Sequence, residues 1–194
     1  MGRFPRPLYA GAMYHVTAKG NRDCAIFENV DDREMHLWLI DSLVRADGLI
    51  CHAYCQMTNH YHLLLQTPEA NLDRAMHRFN SAYAHWFNRK HGHSGHLFKQ
   101  RYSARPVLTD AHLLETARYV VLNPVRARIC RHPKDWPWSS YQATAGLADA
   151  PAFLDIDWLV QVFRDDVVEG RRRFVQFVDD GLTTGARHRE SARL

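Results

Sequence analysis

Two histidines separated by a single residue, His60 and His62, lie in a run of apolar and β-favouring residues. Side chains at positions i and i+2 of a strand point to the same face of a sheet. The two imidazoles therefore converge if this run is a strand, while Tyr61 between them faces the other way. Neutral imidazoles are common ligands of divalent metal ions. The spacing predicts a metal site on one strand face, although two histidines with a purely structural role would have the same spacing.

A second candidate is Tyr119, which lies in a segment whose apolar residues recur with helical spacing. At about 100° per residue, Leu113, Ala117 and Val121 share one face, and Tyr119 falls opposite that stripe. Its hydroxyl is therefore available for chemistry. A phenol, with a pKa of about 10, is a poor nucleophile at neutral pH unless its target is activated. A metal ion that polarises a phosphate ester supplies that activation, so the combination indicates phosphodiester cleavage.

Asn123 lies one helical turn after Tyr119 and can offer its amide oxygen as a further ligand. Nitrogen and oxygen ligands with open coordination positions suit Mg²⁺ or Mn²⁺ better than a structural zinc site, which is closed and rich in sulfur. The predicted metal ligands are therefore His60, His62 and Asn123. Glu115, one turn before Tyr119, either assists this site or is an exposed helix residue.

The order of predicted elements suggests how these residues are positioned. Periodicity and turn residues predict strands near 13–18, 49–57 and 59–66, helices near 31–46, 71–90 and 110–122, and a strand or ordered loop over 97–107. This β-α-β-β-α-β order is that of an α+β, ferredoxin-like split βαβ fold, an antiparallel sheet with helices on one face. We expect residues 1–148 to form the domain that carries the site. Residues 149–194 are expected to form a C-terminal helical extension that ends in a basic, disordered tail.

The composition narrows the class of protein. The chain has 194 residues, of which 46% are hydrophobic, which is enough for one domain with a real core. No apolar run reaches membrane-spanning length, and the N-terminus lacks the pattern of a signal peptide. We therefore expect a cytoplasmic protein with no membrane partner. The four cysteines have no metal-type spacing and are interpreted as free thiols.

The formal net charge is +4, and the basic residues are interleaved with aromatic and amide residues near the N-terminus and in the middle of the chain. Such interleaving suits nucleic acid, while a solvated basic surface is the alternative. The candidate DNA-binding residues are Arg3, Arg6, Lys19, Asn21, Arg22, Lys99, Arg101 and Arg105.

The motifs also resemble a known family. The HUH motif (His, hydrophobic, His) of single-tyrosine transposases is similar to NHYHLL at residues 59–64, and their catalytic helix is similar to ARYVVLNPVRA at residues 117–127. Further similar stretches are YHVTAKGNR at 14–22, GHLFKQRY at 95–102 and WPWSSY at 136–141. The set runs in order over about residues 3–142 and most resembles the REP-associated tyrosine transposases of bacterial chromosomes. Thr58 stands where the family often has proline, and the chain after about Ala148 matches no part of the pattern.

The resemblance implies a mechanism and a partner. Tyr119 would attack a phosphate in single-stranded DNA and leave a 5′-phosphotyrosine link and a free 3′-hydroxyl. His60, His62 and Asn123 would hold the divalent ion, Mg²⁺ or Mn²⁺, against that phosphate. The DNA would be a REP-type hairpin with a flanking guide sequence, and resealing by a 3′-hydroxyl would transfer the strand without ATP. The resemblance favours a monomer, although related insertion-sequence enzymes are dimers.

Two other interpretations of the residues stay open. The first is a non-catalytic module that binds single-stranded nucleic acid on a ferredoxin-like sheet, as RNA-recognition folds do. The second is a metal-dependent phosphohydrolase of small molecules, for which the basic surface would be unnecessary. The combination of Tyr119 with His60 and His62 argues against simple binding.

Overall fold

The computed structural model of the chain describes residues 9–163 and 166–190. Two predicted DNA-binding residues, Arg3 and Arg6, lie outside the described residues. The strands are β1 (Ala12–Lys19), β2 (Ile50–Gln56), β3 (His60–Thr67) and β4 (Ser103–Val107). The helices are α1 (Val30–Asp47), α2 (Leu72–His91), α3 (Asp110–Arg126), α4 (Tyr141–Thr144), α5 (Trp158–Phe163) and α6 (Val167–Glu190).

The four strands form one antiparallel sheet in the order β2-β3-β1-β4. This order, with α1 between β1 and β2 and α2 between β3 and β4, confirms the predicted α+β, split βαβ architecture. The central pair sets the position of the histidines, because Thr17 lies opposite His62 and Lys19 opposite His60. Both histidines therefore lie near the end of β1, in the middle of the sheet.

Both faces of the sheet are covered by helices. Tyr61, Leu63 and Leu65 of β3 are buried in one apolar cluster with residues of α1 and α2. Leu64, which faces the other way, is buried in a second cluster with Val120 and other residues of α3, α5 and α6. The expectation of helices on one face is thus correct for α1 and α2 and wrong for α3. The second face of β2 and β3 is also apolar, so a separate set of helices must pack on it to bury it.

Local sequence determines where α1 begins and where α1 and α2 end. Asn29 accepts a hydrogen bond from the Asp32 N–H at 3.2 Å, and the Asp32 carboxylate accepts one from the Asn29 N–H at 3.2 Å. This reciprocal capping fixes the start of α1. Gly48 and Gly92 end α1 and α2 in the left-handed conformation, with φ of 68° and 66°.

Helix α3 continues through Pro124 and ends at Arg126, four residues past the predicted end at Leu122. A proline removes one helical donor, here the N–H that would bond to the Val120 carbonyl. The side-chain Nδ2 of Asn123 lies 3.4 Å from that carbonyl oxygen and donates to it. The helix therefore continues because a neighbouring side chain replaces the missing backbone donor.

The C-terminal helices pack onto α3. Phe174 and Val178 of α6 are buried in the same cluster as Val120 and Val121. The Arg118 guanidinium lies 4.0 Å from the centre of the Phe177 ring and donates a hydrogen bond of 3.2 Å to the Phe177 carbonyl. The boundary expected at residue 148 stays a prediction. Within residues 9–163 and 166–190, no helix is both long and apolar enough to cross a membrane.

Candidate active site

An open cavity of about 270 Å³ lies between the sheet and α3. Strands β1, β3 and β4 form its floor, and Tyr119 of α3 forms one side. The cavity is lined by His15, Thr17, Ala18, Lys19, His60, His62, Ser103, Arg105 and Tyr119.

The structure brings His60, His62 and Tyr119 together in this cavity, as the sequence predicts. The ring centres of His60 and His62 lie 5.0 Å apart, and those of His62 and Tyr119 lie 5.6 Å apart. Tyr119 is 40% exposed, while Ala117 and Val121 are fully buried. The helix therefore presents the phenol away from its apolar stripe, where a substrate can reach it.

Hydrogen bonds around His60 fix which nitrogen carries its proton. The Asn59 Nδ2 donates to the Asp23 carbonyl oxygen at 3.1 Å, so the Asn59 Oδ1 faces His60. That oxygen lies 2.8 Å from the His60 Nδ1 and can only accept, so Nδ1 carries the proton. The Nε2 of His60 then has a free lone pair, as a metal ligand requires.

His62 is oriented by His15, a residue that was not among the predicted site residues. The His15 Nε2 and the His62 Nδ1 lie 2.9 Å apart, and the two rings are stacked. Within the described parts of the chain, the buried Nε2 of His62 has no hydrogen-bond partner. The sequence suggests that His15 lies on the sheet face near the metal without binding it, because β1 alternates and His15 shares a face with Thr17, but its pairing with His62 depends on strand register.

Burial keeps the three imidazoles neutral. Burial lowers the pKa of His62 well below its ordinary value, and the nearby His15 and His60 lower it further. Burial and Lys19 lower the pKa of His60. Burial, Arg105 and His112 lower the pKa of His15 to about 4. At neutral pH the rings are therefore unprotonated, which is the form that offers a lone pair to a cation.

The charged side chains of the cavity suit an anion. Arg105 and Lys19 line it, and none of its described lining residues is acidic. Lys19 also forms an ion pair of 2.8 Å with Asp23, and both side chains are exposed. A phosphate in the cavity would therefore meet the positive charge of Arg105, while the charge of Lys19 is shared with Asp23.

Asn123 is placed differently from the two histidines. It lies one turn beyond Tyr119, but the residues that line the cavity do not include it. Its Nδ2 donates to the Tyr119 carbonyl at 2.8 Å, so its Oδ1 is the atom left for a ligand. Within the described residues, no group of three or more His, Cys, Asp or Glu side chains forms a metal site. Any divalent ion here would therefore depend on His60, His62 and a non-acidic third ligand.

The other predicted residues fall into separate places. Lys19 and Arg105 line the active-site cavity, whereas Asn21, Lys99 and Arg101 line a second cavity beside α2. Arg22 lies in the short turn after β1 with a φ of 52° and lines neither of these cavities. Glu115 forms an ion pair of 2.6 Å with Arg118. Glu115 therefore contacts a neighbouring arginine of α3. This agrees with the alternative that Glu115 is an exposed helix residue and does not assist the site.

Comparison with known proteins gives the family. The sequence model described as "Transposase IS200 like" matches residues 9–123, which is more than half of the chain and contains His60, His62 and Tyr119. No curated protein matches the chain. A solved structure of a REP-associated tyrosine transposase bound to a REP hairpin shares the fold at 17% identity and a TM-score of 0.64, covering 80% of this chain and 93% of that one. The motifs seen in the sequence and this match agree, and the chain belongs to the IS200-like transposase family.

Proposed function

We propose that this protein is a metal-dependent endonuclease and strand transferase for single-stranded DNA, with Tyr119 as its nucleophile. The observation that carries the proposal is the placement of the Tyr119 ring 5.6 Å from the ring of His62 in one basic cavity. A nucleophile, candidate ligands for a cation and side chains that attract phosphate are then within reach of a single phosphodiester.

The proposed reaction is an exchange of esters at one phosphorus atom. The Tyr119 Oη attacks the phosphorus, an O–P bond forms, and the bond from phosphorus to the 3′-oxygen breaks. The phenol loses its proton and the 3′-oxygen gains one. The number of phosphate ester bonds is unchanged, so a 3′-hydroxyl can later attack the 5′-phosphotyrosine link and reseal a strand without ATP.

Two arginine side chains have distinct roles in the proposed reaction. Arg105 lines the cavity and would position the phosphate by charge-assisted hydrogen bonds. The Arg126 guanidinium lies 4.8 Å from the centre of the Tyr119 ring. Such a cation–π contact restrains the orientation of the ring. We infer that Arg126 holds the nucleophile and that Arg105 holds its target.

The side chains present fit a divalent ion, Mg²⁺ or Mn²⁺. The Nε2 of His60 has a free lone pair, because its Nδ1 donates to Asn59. The buried Nε2 of His62 lacks a hydrogen-bond partner within the described residues, as expected of an atom reserved for a ligand. His60 and His62 would hold the ion, with the Asn123 Oδ1 as the proposed third ligand. When bound, the ion would polarise the scissile phosphate.

The proposed substrate is a REP-type DNA hairpin. Support comes from the shared fold with a transposase that is itself bound to a REP hairpin. The basic cavity linings are also appropriate for a nucleic acid backbone. Because one chain supplies His60, His62 and Tyr119 to the same cavity, a monomer is the proposed active form.

The proposal is tested by incubating the protein with single-stranded hairpin oligonucleotides and Mg²⁺ or Mn²⁺. A denaturing gel should show a covalent protein–DNA adduct that is absent in Tyr119→Phe and after chelation of the metal. Tyr9→Phe is the matched control, because Tyr9 is 63% exposed and lies outside the cavity. Tight DNA binding without any adduct would instead support the non-catalytic interpretation.

A further inference from the structure

A third cavity, of about 490 Å³, lies on the C-terminal part of the chain, beyond residues 9–123 that match the transposase family. It is formed by α6 and the turn that follows α4, and we call it the α6 pocket. Ala145, Val168 and Val175 give it apolar walls, and Arg171 is one of its basic lining residues. None of these residues takes part in the proposed reaction, so the pocket needs an explanation of its own.

Among three consecutive arginines of α6, Arg171 differs from its neighbours. Arg172 and Arg173 both pair with Glu169, at 2.6 Å and 2.9 Å. Within the described residues, Arg171 forms no ion pair and no side-chain hydrogen bond, and its Nε is buried without a partner. A partly buried guanidinium in this state lacks compensation for its lost hydration. A carboxylate from outside the chain would supply that compensation.

The turn after α4 restrains the position of Arg171. Gly146 has a left-handed φ of 76°, and a Cβ atom built on it would lie 3.0 Å from the Arg171 Nη1 and 3.1 Å from its Cδ. The arginine therefore lies against bare backbone, where a side chain at position 146 would crowd it. A guanidinium that is already held in place loses less conformational freedom when it binds a partner.

The same surface carries an exposed carboxylate and two exposed apolar side chains. Asp149, three residues after Gly146, is exposed and has no ion pair or side-chain hydrogen bond within the part of the chain that the structure describes. Leu147 is 61% exposed, and Val168 on the wall of the pocket is 79% exposed. Apolar residues beside an arginine are typical of a contact with protein. The carboxylates of Asp149 and Glu169 would repel a DNA backbone.

This surface is complementary to itself. Arg171 lies against Gly146, and Asp149 is at most about 11 Å further along the chain, so the unpaired cation and the unpaired carboxylate are close neighbours on one surface. A twofold axis between two copies of the chain would place each Arg171 opposite the Asp149 of the other copy. Such an isologous contact makes the ion pair twice and leaves neither group without a partner.

We propose that two copies of this protein associate through their α6 pockets, with Arg171 of each copy paired to Asp149 of the other and Leu147 packed against Val168. The contact is smaller than the roughly 1,200 Å² of a stable complex, so it forms at protein concentrations of about 10–100 µM. Each copy keeps Tyr119 in its own cavity, so association leaves the proposed active form intact and brings two active sites into one particle.

Sedimentation velocity over a concentration series measures this association. The unchanged protein should shift from one chain toward two as its concentration rises, and added salt should weaken the shift, because the ion pairs are exposed to solvent. Arg171→Glu and Asp149→Arg each place like charges opposite one another at two symmetric points. Each variant should therefore weaken association by at least about tenfold.

An equimolar mixture of these two variants separates a contact between chains from a contact within one chain. In a mixed pair of Arg171→Glu and Asp149→Arg, both opposed positions again carry unlike charges. The mixture should therefore associate about as well as the unchanged protein, although neither variant does so alone. An ion pair within a single chain would not be restored by mixing.

The control variants are Arg89→Glu and Glu34→Arg, which change exposed residues of α2 and α1. Those helices pack on the face of the sheet opposite to α6. Neither control variant should change association, alone or in the mixture. Arg171→Glu and Asp149→Arg should keep adduct formation at Tyr119, because both positions lie outside the active-site cavity.

The proposal is overturned if the unchanged protein sediments as a single chain over the whole series, or if the mixture associates no better than the separate variants. It is also overturned if Arg171→Glu weakens the affinity for a DNA hairpin without changing sedimentation, because the pocket would then bind DNA. None of these results bears on the proposed function, which depends on the adduct at Tyr119.

Discussion

The side-chain Nδ2 of Asn123 donates a hydrogen bond of 2.8 Å to the carbonyl oxygen of Tyr119. The same nitrogen lies 3.4 Å from the carbonyl oxygen of Val120. Pro124 has no N–H and therefore cannot donate to that oxygen. Asn123 therefore stabilises the helical turn that carries Tyr119, the proposed nucleophile, independently of any metal ion. Its Oδ1 takes part in neither of these bonds and is the atom left for a ligand.

Two substitutions separate the structural role of Asn123 from its proposed ligand role. Asn123→Ala removes both the donor and the oxygen, so it should lower the free energy of unfolding by about 1 kcal/mol and weaken Mn²⁺ binding. Asn123→Asp removes the donor but keeps an oxygen ligand, so it should lose stability and keep Mn²⁺ binding. Denaturant unfolding and Mn²⁺ titration measure the two effects. Equal Mn²⁺ affinity in the alanine variant would remove Asn123 from the ligand set.

His15 is expected to position His62. Its Nε2 lies 2.9 Å from the His62 Nδ1, and loss of such a supporting hydrogen bond to a metal-ligating histidine typically costs about 10–100-fold in metal affinity. His15→Ala should therefore weaken Mn²⁺ binding by that factor, as followed by electron paramagnetic resonance of free Mn²⁺. His112→Ala, an exposed neighbour outside the cavity, is the control. Unchanged Mn²⁺ affinity in His15→Ala would contradict this role.

Arg118 is expected to fix α3 against α6. Its guanidinium contacts the Phe177 ring at 4.0 Å, donates to the Phe177 carbonyl and pairs with Glu115. Arg118→Ala should lower the free energy of unfolding by about 2 kcal/mol, and Arg118→Lys should recover only part of it, because lysine lacks the planar fork.

Formation of the protein–DNA adduct shows whether the contacts of Arg118 with α6 also help to orient Tyr119. Arg118→Ala should slow the formation of the adduct. Its equilibrium affinity for the hairpin should stay near that of the unchanged protein. Arg45→Ala breaks an exposed ion pair with Asp41 and should change stability by less than about 0.5 kcal/mol. A stability of Arg118→Ala equal to that of Arg45→Ala would show that α6 does not depend on this contact.

His36 should make the fold sensitive to acid. It is fully buried, and burial together with Arg33 lowers its pKa to about 3. The unfolded chain, with an ordinary histidine pKa of about 6.5, binds a proton that the folded chain excludes, so stability is full above pH 6.5 and falls as the pH drops toward 3. The slope from this residue is about 1.4 kcal/mol per pH unit.

His36→Gln should remove that contribution. Urea unfolding at pH 6.5 and pH 5 should show a smaller loss for the variant, by about 1–2 kcal/mol. His77→Gln, an exposed histidine of α2, is the control and should lose stability like the unchanged protein. The same pH dependence in His36→Gln and in the unchanged protein would rule out His36 as the source.

The local periodicities of the sequence were sufficient to place the main groups of the site. The two-residue period of β3 put His60 and His62 on one face, and the 3.6-residue period of α3 put Tyr119 opposite its apolar stripe. These relationships are internal to one element each. The juxtaposition of the two elements was a hypothesis that rested on their combined chemistry and on the family resemblance.

The groups that the sequence did not reveal depend on contacts between distant segments. His15 reaches His62 through the pairing of β1 with β3, and Asn59 orients His60 because its amide is held by Asp23. Likewise, the predicted basic residues Arg101 and Arg105 are close in sequence but line cavities on opposite sides of a sheet edge. Strand register and edge geometry decide such placements, and neither can be read from composition.

The chemical identity of the protein–DNA link shows most directly whether Tyr119 is the nucleophile. The adduct from a hairpin oligonucleotide and Mn²⁺ is digested with protease and nuclease, and the modified peptide is sequenced by mass spectrometry. We expect one modified peptide, with a nucleotide 5′-phosphate joined to the Tyr119 oxygen and a free 3′-hydroxyl on the released DNA. A phosphate on another residue, or released DNA that ends in a 3′-phosphate, would contradict it.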